Sequence, residues 1–265
     1  MKGIIINADD FGLSEGVCDA IKILLDTRCI SSTSLMLCAP KAFELIPKYN
    51  IKQWEGSVGI HLQLTSGECL SEPNEVASLV LSGTRKFKDP RKGAVPNIYE
   101  VEKEWRNQIK AGMALLEGIP SHIDSHHGVH RIPELFDLYM QLANEIGVQI
   151  RGTIGQDVEK MLLTKTPGTI ALVRNWTGKK FSKEELLFQI TEIRDNFPNE
   201  QVLELIIHPG YCDDYLRSIS SLSDARENDF NVIKELASKN WLSELGLKLI
   251  SRKEAMSQYG TNTRN

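Results

Sequence analysis

Gly3-Ile4-Ile5-Ile6-Asn7-Ala8-Asp9-Asp10-Phe11-Gly12-Leu13-Ser14-Glu15-Gly16 sets the pattern for the chain. A short apolar run stops at Asn7 and meets two aspartates. Ser14 then has the chemistry of a helix N-cap, with Glu15 in the first turn and an amphipathic stretch over 17–26 behind it. This is a strand, a functional loop and a helix in succession. Further apolar runs over 33–37, 58–62, 122–124, 148–151, 202–207 and 247–250 read as strands, like 3–6. Helical patterns lie between them, near 42–48, 75–81, 98–117, 133–146, 183–196 and 225–239. Pro133 suits a first helical position, followed by Leu135, Leu138, Leu142 and Ile146 on one face. Strands alternating with helices specify an α/β fold on a parallel sheet. Seven or eight such units favour a (β/α) barrel with about seven parallel strands over an open sheet.

The 265 residues divide into about 1.8 domains at about 150 residues each, but one barrel also reaches this length. With no internal repeat, low-complexity tract or linker, residues 1–265 read as a single domain. Hydrophobic residues form 41% of the chain, enough for a full core without disulfides. The five cysteines include no CxxC pair, as expected of free thiols in a reducing compartment. A net charge of −4 argues against a nucleic-acid partner, and no apolar run is long enough to span a membrane. The break at Asn7 argues against a signal peptide, so the expected location is the cytoplasm. The basic segment 85–92 reads as a solvated loop, and 258–265 as a polar, frayed tail.

The six histidines are not scattered: His122, His126, His127 and His130 fall within nine residues, beside Asp124. His61 ends one apolar run, His126 follows another, and His208 ends a third ahead of Pro209-Gly210. Asp9 and Asp10 follow the first. All these groups therefore sit at the C-terminal ends of expected parallel strands, where the loops of a barrel open into a common cleft. Neighbouring residues of an extended segment point opposite ways, so Asp9 and Asp10 are free to do different jobs. One could ligate a cation while the other acts as a base. One carboxylate and two imidazoles leave positions open for water and substrate, and suit Zn, Co, Ni, Mn or Fe better than Mg. Such a site, with unligated Asp and His nearby, reads as hydrolytic.

Two other motifs fail on context. Gly12-Leu13-Ser14-Glu15-Gly16 matches GxSxG, but a nucleophile elbow places its serine directly off the strand, and here Asp9, Asp10 and Phe11 intervene. No Walker loop or GxGxxG is present.

Four blocks, 6–12, Gly59-Ile60-His61-Leu62, 122–130 and His208-Pro209-Gly210, resemble the YdjC-like (ChbG) carbohydrate deacetylases in content and order, across residues 3–214. The resemblance implies a distorted TIM-like (β/α) barrel that removes the acetyl group from N-acetylated sugars such as chitobiose and other chitooligosaccharides. It implies one divalent metal ion, Mg2+ or Zn2+, with Co2+, Mn2+ and Ni2+ compatible. Carried over by position, Asp10, His61 and His126 are its ligands, Asp9 the base and His208 the general acid. A homodimer is usual in the family. One departure is Gly128, where relatives commonly carry a further histidine.

Around this cleft, Phe11, Trp176 and Tyr211 are candidates to face a sugar ring. Arg151, at the same strand edge, is a candidate to bind a sugar hydroxyl or orient a carboxylate. Asp124 and His130, and after them His127, are candidates to steady the ligands from behind. The competing functions are a phosphoesterase or amidohydrolase acting on a non-sugar substrate, and a catalytically silent sugar-binding barrel.

Overall fold

The apolar runs pair with one another as parallel strands. In the computed structural model these are β1 (Lys2–Phe11), β2 (Ser32–Leu35), β3 (Val58–Leu62), β4 (His122–Ser125), β5 (Gln149–Arg151), β6 (Gly168–Thr169), β7 (Ala171–Val173), β8 (Val202–Ile207) and β9 (Leu247–Leu249). The structure describes residues 1–93, 96–151, 168–169, 171–173, 180–196, 202–237 and 239–259; Trp176 lies outside them. The sheet runs β6-β5-β4-β3-β2-β1-β8-β7, with β9 against Lys2–Ile4 of β1. The ends of this path, β6 and β7, are nearly consecutive in sequence, so the sheet curls round as a distorted barrel. Strands with both faces covered need apolar side chains on both, and β1 from Gly3 to Phe11 is buried throughout.

Helices α1 (Glu15–Asp26), α2 (Ala42–Leu45), α3 (Ile98–Leu116), α4 (Pro133–Ile146), α5 (Lys183–Asn196), α6 (Asp214–Ile219), α7 (Ala225–Ala237), α8 (Trp241–Glu244) and α9 (Arg252–Tyr259) follow or flank the strands. Ser14 caps α1, its Oγ accepting the Val17 N–H at 3.2 Å. The cap leaves Asp9 and Asp10 free of that duty. α4 starts with Pro133 and ends at Gly147 in the left-handed region, φ 76°. The five cysteines are free thiols. Among the described residues no helix is long and apolar enough to cross a membrane.

Four expectations need correction. The first strand does not stop at Ile6 but runs to Phe11, so both aspartates lie inside it. The helix expected over 75–81 is absent; only a 3-10 turn, Pro73–Glu75, forms there. Val76, Leu79 and Val80 have helical spacing and are buried, but their segment bonds to the 85–92 stretch instead. Leu81 N–H donates to Lys86 carbonyl at 2.9 Å and Lys88 N–H to Leu79 carbonyl at 2.7 Å. The 85–92 stretch is therefore partly tied down: Arg85 also donates to the carbonyls of Cys69, Leu70 and Ser71. Finally, β6 and β7 were not expected from the sequence; two- and three-residue strands carry too little periodicity to register.

Beneath the barrel mouth, Gly59 and His122 pack against each other. A Cβ at residue 59 would run into the His122 ring. Burial and the Arg252 guanidinium push the His122 imidazole down to about 4. Gly59→Ala should therefore destabilise the fold by about 1–3 kcal/mol, measured by chemical denaturation. The unfolded chain protonates this histidine near its ordinary 6.5, the folded chain only near 4. Its contribution to stability is thus full above pH 6.5 and lost as pH falls through that window. The difference in melting temperature between wild type and His122→Gln should shrink from pH 7 to pH 4; a difference independent of pH would contradict it.

Candidate active site at the barrel mouth

Five strand ends deliver the side chains. β1 supplies Asp9 and Asp10, β3 His61, the residue after β4 His126, the end of β5 Arg151, and the residue after β8 His208. Simple alternation would send Asp9 and Asp10 to opposite faces, but both reach one cavity. The reason is local: the register against β2 shifts between Ala8 and Phe11, and Asp10 takes φ 73°. A bulge with a left-handed residue breaks the pleat and re-aims its side chains.

Asp10 Oδ1 lies 3.4 Å from His61 Nε2 and 3.2 Å from His126 Nδ1. These three side chains offer ligand atoms all within 4.8 Å of one another. Oδ1 is buried and makes no hydrogen bond, although two imidazole nitrogens stand beside it. A buried carboxylate oxygen left so is costly unless something else takes its lone pairs. The donor set, two imidazoles and one carboxylate, matches a divalent transition metal. The residues fit a cation.

The orientation of His61 comes from behind. His61 and Asp124 are register partners across β3 and β4, and His61 Nδ1 meets Asp124 Oδ1 at 2.6 Å. That bond turns Nε2 toward Asp10. Burial works against a charged His61, but Asp124 and Asp9 outweigh it and raise its pKa to about 10. Burial also opposes ionisation of Asp10, but Arg226 and His126 hold it well below the usual carboxylate range. Arg226 donates from Nη2 to Asp10 Oδ2 at 2.6 Å.

Asp9 is held differently. Arg151 grips both its oxygens, at 2.8 and 2.6 Å, and Asn7 Nδ2 donates to Oδ1 at 2.8 Å. Arg151 also reaches Asp124 at 2.7 Å and Glu204 at 3.0 Å. Burial notwithstanding, Arg151 and His61 keep the Asp9 carboxyl low and ionised. Asp9, His61 and Asp124 form a second cluster with the geometry to ligate, but Arg151 already forms ion pairs with both of its carboxylates. His208 Nε2 stands 3.9 Å from Asp9 Oδ2. Its backbone N–H donates to Asp229 at 2.8 Å. Burial pushes His208 down to about 4, only partly offset by Asp9 and Asp10, so its imidazole is neutral at pH 7.

Asp9, Asp10, His126, Arg151 and His208 line a cavity of about 350 Å³, walled on the other side by Ile219–Leu222 and Arg226, while His61 is buried behind them. Not every expected residue is there. Phe11 is fully buried in the core, edge-on to Tyr49 and Trp54, so it is no platform for a sugar. Its neighbour in the bulge faces the cavity, and Phe11 takes the inward side. Tyr211 is partly exposed but packs on Phe230 and is not among the lining residues. Arg151 lines the cavity with its guanidinium committed to three carboxylates. His130 bonds Ser125 Oγ at 2.5 Å and stacks on Tyr139, so it braces the 125–131 turn. His127 lies tilted against the His126 ring, centroids 3.8 Å apart, and bonds Thr65 Oγ1 at 2.9 Å. Gly128 has φ 64°, and a Cβ there would press on the Arg131 guanidinium at 3.2 Å.

Sequence reading missed Arg226, Glu204 and Arg252. Glu204 had a signal: it is the one charged residue in the apolar run Val202–Ile207. Its Oε1 meets both Arg151 and Arg252. Arg226 had none, because an arginine in a polar helical pattern looks like any other.

Known proteins share both sequence and shape with this chain. A carbohydrate deacetylase of Oceanobacillus iheyensis is 34% identical over 254 residues, covering 89% of this chain and 98% of that one. A chitooligosaccharide deacetylase of Enterobacter sp. (strain 638) is 29% identical, covering 94% and 97%. The crystal structure of an Enterococcus faecalis V583 protein, ascribed to cellobiose-phosphate cleavage, superposes with a TM-score of 0.83 over 96% of this chain and 98% of that one, at 24% identity. The barrel is thus a shared fold. Residues 3–244 match the model for YdjC-like proteins, and the chain belongs to that family.

Proposed function

We propose that this protein is a metal-dependent carbohydrate deacetylase, which hydrolyses the N-acetyl group of acetylated amino sugars such as chitobiose and other chitooligosaccharides. One observation carries the reading: Asp10, His61 and His126 converge on one buried point, with the ionised Asp9 beside it. The relatives named carbohydrate and chitooligosaccharide deacetylases support the choice of substrate class.

Asp10, His61 and His126 would hold the cation, and the nitrogen-rich set favours Zn2+ over Mg2+. Bound there, a divalent ion lowers the pKa of water and draws charge from an acyl oxygen. The other steps belong to the protein. Asp9, fixed by Arg151 and Asn7, takes a proton from the attacking water. His208 is neutral at rest, so it gains its acidic proton during the reaction. The 3.9 Å gap to Asp9 Oδ2 is short enough to close for that transfer. His208 then returns the proton to the departing sugar nitrogen, and acetate leaves. Net, one water is consumed and one C–N bond is broken.

His61→Ala and His126→Ala should lose cation binding, read by calorimetric titration, together with acetate release from N,N′-diacetylchitobiose. Asp9→Asn should retain the cation and lose turnover by about 10²–10⁴-fold. Normal deacetylation by the metal-replete Asp9→Asn variant would rule out the assigned base.

A further inference from the structure

The first turn of α7 supplies a group that the reaction scheme leaves unused. Arg226 is 1% exposed, yet it reaches across the barrel mouth to a residue 216 positions earlier. It donates from Nη2 to Asp10 Oδ2 at 2.6 Å and from Nε to the Leu222 carbonyl at 2.8 Å. Its own carbonyl accepts the Gly210 N–H at 3.2 Å. One residue thus ties together a metal-site carboxylate, the cavity wall at 219–222 and the turn that follows His208.

The consequence for Asp10 is specific. A carboxylate beside a cation can present one oxygen or both. Here Oδ2 is occupied by a charged hydrogen bond, the strong kind, and only Oδ1 faces His61 and His126. The guanidinium also places a fixed positive charge next to the position a cation would take. Both effects act in one direction: fewer carboxylate oxygens for the ion, and weaker attraction. The return is an ion with positions left open for water and substrate.

We propose that Arg226 is a positioning residue that confines Asp10 to a single ligating oxygen and keeps the site's cation affinity below what its three ligands could reach. The inference rests on the reading of Asp10, His61 and His126 as the cation site.

The test is titration of metal-free full-length protein with Co2+, following both the dissociation constant and the visible absorption of the ion. Folded Arg226→Met should bind Co2+ about tenfold more tightly than wild type. Its Co2+ band should be weaker, as a second carboxylate oxygen raises the number of ligands, and deacetylation should fall at least tenfold at saturating metal. Arg226→Lys keeps a donor for Oδ2 and should sit nearer wild type in all three; it serves also if the Met variant does not fold. Unchanged affinity and spectrum in both variants, with wild type binding normally, would overturn the role of Arg226 alone. Failure of wild type to bind Co2+ would overturn the cation site and this inference with it.

Discussion

The Arg151 guanidinium is the interaction on which the barrel mouth depends. Asp9, Asp124 and Glu204 are buried, come from three different strands, and all touch it. Unpaired, such charges cost several kcal/mol each in a protein interior, and removing one partner of a buried pair typically costs about 3–5 kcal/mol. A structure that stacks carboxylates here must bring guanidinium groups to them, and it does so from β5, α7 and α9. Arg151, Arg226 and Arg252 face Asp9, Asp10, Asp124 and Glu204. Three guanidinium charges thus face four carboxylate charges, one short of balance. His61 carries the balancing proton in the metal-free protein, which is why its pKa is raised to about 10. The same balance suits the site to a cation: an ion held by Asp10 and His61 would take the place of that proton.

Specificity of roles follows from which carboxylate has which partner. Asp9 has both oxygens pinned, so it stays fixed beside the cavity as an anion. Asp10 has one oxygen pinned and one facing two imidazoles. Adjacent in sequence, the two aspartates differ because a bulge in β1 turns one of them into a left-handed residue. The backbone distortion is therefore part of the site, and the 216-residue reach from Arg226 holds it in place.

Much of this was legible in the sequence because strand ends and chemistry coincide. The runs 58–62 and 202–207 became strands with those bounds, and α4 and the helix over 183–196 matched as well. His61, His126, His208, Asp9 and Asp10 do meet, since parallel strands must deliver their C-terminal ends to one rim. What could not be read depends on side-chain reach or on irregular backbone. Alternation misjudged Asp9 against Asp10 because a bulge has no periodic signature. Phe11 looked available for a ligand because one bulge step decides whether it faces cavity or core. Arg226 and Arg252 act across the barrel, where sequence spacing carries no information. The false helix over 75–81 had apolar spacing right, but its backbone found partners in a neighbouring loop.

The most direct test is an anomalous-difference map from crystals of the metal-loaded protein, collected at the absorption edge of the bound ion. One peak is expected, about 2.0–2.2 Å from Asp10 Oδ1 and from one imidazole nitrogen each of His61 and His126. A peak that misses these three atoms, or an empty map in protein shown to be loaded, would contradict the account.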